Sequence, residues 1–196
     1  KSNGNQPING YTFEQMIVYF VFTNIFTFVT FSTETLWQIN KDIKDGTIAI
    51  SLTKPVSYRL RMLFTTFGSA IMPILVLGVP AYTIAIVVFY LIGYLKITNV
   101  WLFILSIVLF LILQFLAIVI NDGIEYLCGI MCFYTTGAWG LNQFKEAVVK
   151  FFSGAVIPIA FFPAGFANVV NYLPFIGLSQ NPILVLMMET KGVPIT

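Results

Sequence analysis

The chain has 196 residues, of which 58% are hydrophobic and 9% charged, and its mean hydropathy is +0.90. A soluble domain carries roughly 25% charged residues, so 10 Lys+Arg and 8 Asp+Glu are too few to cover a water-facing surface. A soluble enzyme and a disordered tail are excluded on that ground, and a net charge of +2 is too small for binding nucleic acid or another polyanion. With 20 Phe, 9 Tyr and 3 Trp, the sequence reads as an aromatic-rich, all-α polytopic integral membrane protein in contact with a lipid bilayer.

Lys1–Gly10 is polar and has no signal-peptide pattern, and a start at Lys1 reads as a piece of a longer protein. The first apolar run, Phe13–Phe31, carries one charge, Glu14, and has the length of one bilayer crossing, giving a predicted span over residues 11–31. Ser32–Arg61 follows, the only sustained polar stretch. Lys41, Lys44, Lys54, Arg59 and Arg61 make it home to half of all basic residues, which places it in the cytoplasm by the positive-inside rule. Met62–Leu95 is free of charge and longer than one crossing needs, so it predicts one tilted helix over 57–95, kinked near Pro73 or Pro80. Lys96–Asn99 turns outside, with Trp101 at the interface.

Val100–Ile120 is a strong span running back inside. Its apolar pattern continues to Tyr134, so the cytoplasmic turn lies at Asn121–Gly123 or at Thr135–Gly137. The next span rises to about Ile159. Beyond it, Pro163, Gly165, Pro174, Gly177, Pro182 and Gly192 break residues 161–196 too often for a straight crossing, which predicts a hairpin dipping into the outer leaflet and packed against protein.

The polar loop is the most informative segment. Thr35 and Gln38 form a possible capping box, Leu36, Ile39 and Ile43 fall on one helical face, Lys41, Asp42, Lys44 and Asp45 lie off it, and Gly46 is a natural stop. Such a helix, predicted over 34–46, lies flat on the membrane or docks on a partner. The chain has no His, which removes His triads and His metal sites, and Cys128 and Cys132 stand without other soft ligands, so no metal site is expected. No G-x-x-x-x-G-K-[ST] occurs, so the chain carries no P-loop for ATP.

The apolar-acid-basic helix ending in Gly46, then Ile48-x-x-x-Leu52-x-x-Pro55-Val-Ser57 directly before a long span, resembles permease subunits of ABC-2 type ABC transporters, the bacterial "ABC-2 family transporter protein" group. Ser153-Gly154, Pro158, Phe162-Pro163, Leu173-Pro174-Phe175 and Pro182 are similar to that group's later pattern, so the resemblance covers essentially the whole chain. It implies the ABC-2 permease fold of six transmembrane helices, of which this chain would supply the second to the fifth (99–133 and 138–160 being the last two) and an outer re-entrant segment. It implies a multi-pass protein of the bacterial cytoplasmic membrane, with export as the family's usual direction, and no ATPase site of its own. ATP and Mg would belong to a cytoplasmic ABC ATPase present in two copies, alongside a second, identical or homologous permease. By residue, ATPase coupling would fall on Trp37, Ile39, Lys41, Asp42, Ile43, Lys44, Asp45 and Gly46. The resemblance also favours the cytoplasmic turn at Phe133–Gly137.

With that turn, Asn142, Glu146 and Lys150 lie at i, i+4, i+8, and Glu146–Lys150 is the favourable order for an ion pair. Gln114, Asn121 and Glu125 share one face of the preceding helix, with Asp122 beside them. These seven residues read either as a polar wall of the transport route or subunit interface, or as markers of a shorter helix end. Ser153, Gly154, Pro158, Pro163 and Pro174 read either as an outer gate or as the shape of a surface loop. An ion-coupled secondary transporter or channel is the competing function, with the buried carboxylates as ion ligands. A membrane enzyme is weakest, since no nucleophile–base pair is found.

Overall fold

The computed structural model describes residues 11–94, 99–135 and 137–187. The polar segment Lys1–Gly10, the turn residues 95–98, Thr136 and the end of the re-entrant segment, 188–196, lie outside the described residues. Among those described the secondary structure is helical: α1 Phe13–Thr30, α2 Thr35–Lys44, α3 Thr47–Leu52, α4 Tyr58–Pro73, α5 Val79–Ile92, α6 Val100–Met131, α7 Ala138–Phe152, α8 Ala164–Asn171 and α9 Gln180–Leu186.

Among the described residues, three helical stretches are long and apolar enough to cross a membrane: Phe13–Lys44, Tyr58–Ile92 and Val100–Met131. The chain is therefore an all-α polytopic membrane protein, as the run lengths predict. α1 opens on a capping box, with Thr12 N donating to Gln15 Oε1 at 2.9 Å and Gln15 N to Thr12 Oγ1 at 3.4 Å. The predicted box at Thr35 and Gln38 does not form. Thr35 is already inside the helix, and both side chains bond to acids of the core instead.

Between Pro73 and Pro80, where the sequence predicts a kink, the helix takes the π form over Ile74–Gly78. Each proline lacks the N–H that a regular helix would use, and a wider turn absorbs the mismatch. Gly78 packs closely on α1: a Cβ there would lie 3.1 Å from Val29 Cγ2.

α1 and α2 run parallel to α6. Contacts advance in step, Thr30 meeting Gln114, Thr33 meeting Asn121, and Ile39 lying over Gly129. α4–α5 and α7 run the other way: Thr66 bonds to Asp122 while Tyr82 stacks edge-on against Phe110, and Ala138 packs near Cys132 while Lys145 reaches Glu125. The core between α1, α5, α6 and α9 is apolar and aromatic, built on Tyr19, Phe22, Phe26, Phe89, Phe110, Ile183 and Leu186. Outward faces carry Phe64, Leu75, Val76, Leu91 and Trp101, as expected of surfaces that meet lipid or other helices.

α7 differs from its expected length. It has 15 residues, about 22 Å at 1.5 Å per residue, and ends at Phe152, not near Ile159. Gly154 takes φ +78, a left-handed conformation that closes the helix, and its carbonyl accepts from Tyr19 OH at 2.8 Å. Gln180 N donates to Ser153 O, and Gln180 Oε1 accepts from Ile159 N at 2.9 Å. The broken segment is thereby stitched to α7 and α1, and α9 is packed inside the bundle with Ile183 fully buried.

Candidate functional site

The break between α1 and α2 leaves carbonyls at the end of one helix and N–H groups at the start of the next without helical partners. The polar face of α6 supplies them. Gln114 Nε2 donates to Thr30 Oγ1 at 2.8 Å, and Asn121 Nδ2 donates to Thr33 Oγ1 at 2.7 Å and to Thr30 O at 3.3 Å. Glu125 Oε2 accepts from Leu36 N at 3.4 Å, capping α2 from another helix, where its charge suits the positive helix end. Its Oε1 accepts from Thr33 Oγ1 at 2.9 Å, Asn121 Nδ2 at 3.2 Å and Lys145 Nζ at 2.9 Å.

Lys145 on α7 and Glu125 on α6 are both almost wholly buried, 3% and 2% exposed at the side chain. A buried pair of this kind is tolerated because each charge neutralises the other and the carboxylate is hydrogen-bonded throughout. Sequence spacing pointed to Glu146–Lys150 and passed over Lys145. That local pair also forms, at 2.7 Å, with Asn142 donating to Glu146 at 2.9 Å, but it is about one-third exposed.

Two further acids extend the belt. Asp122, fully buried, accepts from Thr35 and Thr66 at 2.6 Å each and faces Arg59 Nη1 at 2.5 Å. Asp42 accepts from Gln38 Nε2 at 2.9 Å, Thr47 Oγ1 at 3.3 Å, Tyr58 OH at 2.8 Å and Arg61 Nη2 at 2.8 Å. Arg59 and Arg61, two of the basic cluster that marks the cytoplasmic side in the sequence, thus tie α4 to α6 and to α2. Each guanidinium also lies over a tyrosine ring, Tyr126 and Tyr58 respectively.

The seven polar residues read as a route wall or subunit interface therefore divide. Gln114, Asn121, Asp122 and Glu125 are buried and bonded within the chain, with Gln114 Oε1 and Asn121 Oδ1 left without a hydrogen-bond partner among the described residues. Asn142, Glu146 and Lys150 stand partly open on α7.

The residues of the predicted coupling helix divide too. Leu36 and Ile39 are buried against α6 and α4, and Ile43 is partly buried between the same clusters. Asp42, placed off the apolar face by its spacing, is buried as well. Trp37, Lys41, Lys44, Asp45 and Gly46 face outward. Gly46 ends the helix in a left-handed turn, φ 69, and α3 follows, which the sequence reading did not anticipate, with Ile50 and Leu52 65% and 67% exposed. At the far end, Ser153, Gly154 and Pro158 are buried, while Pro163 and Pro174 are exposed and open α8 and a 3-10 turn.

Long apolar helices of alternating direction, clasped at one end by a buried ionic belt, define a polytopic membrane protein whose charged groups serve its own bundle. The model of the family described as ABC-2 family transporter protein matches residues 2–194, and the chain belongs to that family. It is thus a membrane-embedded permease component of an ABC transporter, a class that partners an ABC ATPase subunit. No curated protein and no solved structure matches the chain.

Proposed function

We propose that this permease receives the ATPase stroke on the outward face of α2 and on α3, and passes it through the ionic belt to α4, α6 and α7. The observation that carries this reading is the two-sidedness of α2. Its inner side is fixed to α6 and α4 by Leu36, Ile39 and Asp42, while Trp37, Lys41, Lys44 and Asp45 stand free, next to the bare Ile50 and Leu52 of α3. A force applied to the free side has a stiff path into three helices. The belt lies at the end rich in Lys and Arg, which the positive-inside rule assigns to the cytoplasm.

On this reading the chain works with two ATPase subunits, which bind ATP and Mg, and with a second permease. Transport runs outward, and the re-entrant segment closes the far end of the route. Asn142, Glu146 and Lys150, open on α7, are the polar groups placed to meet substrate or the second permease. The carboxylates of Asp122 and Glu125 are already occupied by protein donors, so no observation favours the ion-coupled alternative.

The test is Leu52→Asp, which puts a charge into the proposed apolar contact at a residue 67% exposed. Ile43→Asp is unsuited, because Ile43 packs within the chain. Leu52→Asp is expected to insert normally, to co-purify with less ATPase subunit and to lose transport. Normal association and normal transport would reject α3 as a docking element.

A further inference from the structure

Beside the belt, between α2, α3 and α4, lies a cavity of about 460 Å³ lined by Thr47, Ile50, Ser51, Lys54, Arg61 and Met62, with Asp42 also on its wall. We infer that this cavity binds the phosphate group of an anionic phospholipid from the leaflet at the basic end of the bundle. The polar groups already spent leave room for an anion and not for a cation. Asp42 takes four donors, from Gln38, Thr47, Tyr58 and Arg61, so its carboxylate has no capacity for a cationic ligand. The unspent groups are donors. Lys54 forms no ion pair among the described residues, the Ser51 hydroxyl, on a residue 6% exposed, bonds to none of the described groups, and Arg61, tied to Asp42 through Nη2, keeps its side chain 35% exposed. Lys54 and Arg61 against Asp42 leave the lining at +1. A cavity that offers surplus N–H and O–H donors and excess positive charge recognises an oxyanion, and a phosphate suits an ammonium and guanidinium together.

The surroundings select a lipid source over a soluble one. Arg61 sits in the first turn of the α4 span, so the cavity opens where that span meets its interface. Ile50 and Met62 make part of the wall apolar. A smaller cavity of about 90 Å³ shares Gln38, Met62 and Thr65 and extends the groove along α4 as far as Ser69. Glu34 at its side would hold a second anion away from that upper part. Phe64, one turn from Arg61 and 70% exposed, offers acyl chains an apolar face on the same helix.

Native mass spectrometry of the full chain, purified in detergent with added phosphatidylglycerol or phosphatidylcholine, tests the site. The wild type is expected to retain phosphatidylglycerol in preference to phosphatidylcholine. Lys54→Glu should lower retention about tenfold, the effect of losing one charge-assisted contact, and Ser51→Ala should lower it less. Lys44→Glu, an equal charge change outside the cavity, should leave retention unchanged, as should millimolar inorganic phosphate. Equal losses in Lys44→Glu and Lys54→Glu, or none in either Lys54→Glu or Ser51→Ala, would overturn the site. Displacement of the lipid by inorganic phosphate would overturn the lipid source.

Discussion

Lys145 is the residue on which the belt depends most. Its ammonium lies 2.9 Å from Glu125 with both side chains shielded from solvent. Lys145→Met removes one charge and leaves the other buried, so it should destabilise the purified permease by about 3–5 kcal/mol. Adding Glu125→Gln removes the stranded charge, and the double variant should recover most of that loss. Thermal unfolding of the three proteins measures both numbers. A Lys145→Met variant as stable as wild type would show that the pair is not closed. Gly129 makes the next prediction. A Cβ there would sit 2.6 Å from Ile39 Cδ1 and 3.1 Å from Ile39 Cβ. Gly129→Ala should cost about 1–3 kcal/mol by overpacking, in spite of alanine's better helix propensity. Ile39→Val, which deletes the nearest atom, should restore much of it. No loss in the single variant would mean that α2 moves off α6 freely.

Among the elements, α4–α5 carries a distinctive irregularity. In the π segment each backbone hydrogen bond spans five residues instead of the α-helix's four, so Ile74–Gly78 shifts the face that follows. That shift brings Gly78 against Val29 and lets Ala85 and Phe89 turn into the core. Deleting the outward-facing Leu75 should convert the segment to regular helix while keeping those inward positions in register. The variant is expected to insert and fold with little change in unfolding temperature, yet to transport poorly if the wide turn is a pivot. Full transport would show that the π turn only absorbs Pro73 and Pro80. These elements were legible to different degrees. α1, α4–α5 and α6 follow from charge-free runs, because lipid tolerates little else over a crossing. The clasp between α1 and α2 was not legible, since its partners Asn121, Asp122 and Glu125 lie some 87 to 92 positions away from Thr33 and Thr35. Lys145 was overlooked for the same reason: helical spacing shows i,i+4 neighbours such as Glu146 and Lys150, while a pair between helices leaves no mark in spacing. The end of α7 depends on Gly154 and its bond to Tyr19, also a distant contact.

For the whole molecule, orientation follows from the alternation of helix directions together with the basic end. Once Cys128 and Cys132 are replaced by alanine, a membrane-impermeant thiol reagent applied to intact cells should label Trp101→Cys and spare Lys44→Cys. The reverse pattern would invert the molecule. On the proposed mechanism, a permease clasped by an ionic belt meets its ATPase through α2 and α3. Cysteine cross-linking in native membranes tests that most directly, with Lys41→Cys and Ile50→Cys at one end and Phe166→Cys on α8 at the other, each paired with cysteines on the ATPase subunit. The predicted result is cross-linking from Lys41→Cys and Ile50→Cys that changes with bound nucleotide, and none from Phe166→Cys. Cross-linking from Phe166→Cys, or from none of the three, would contradict it.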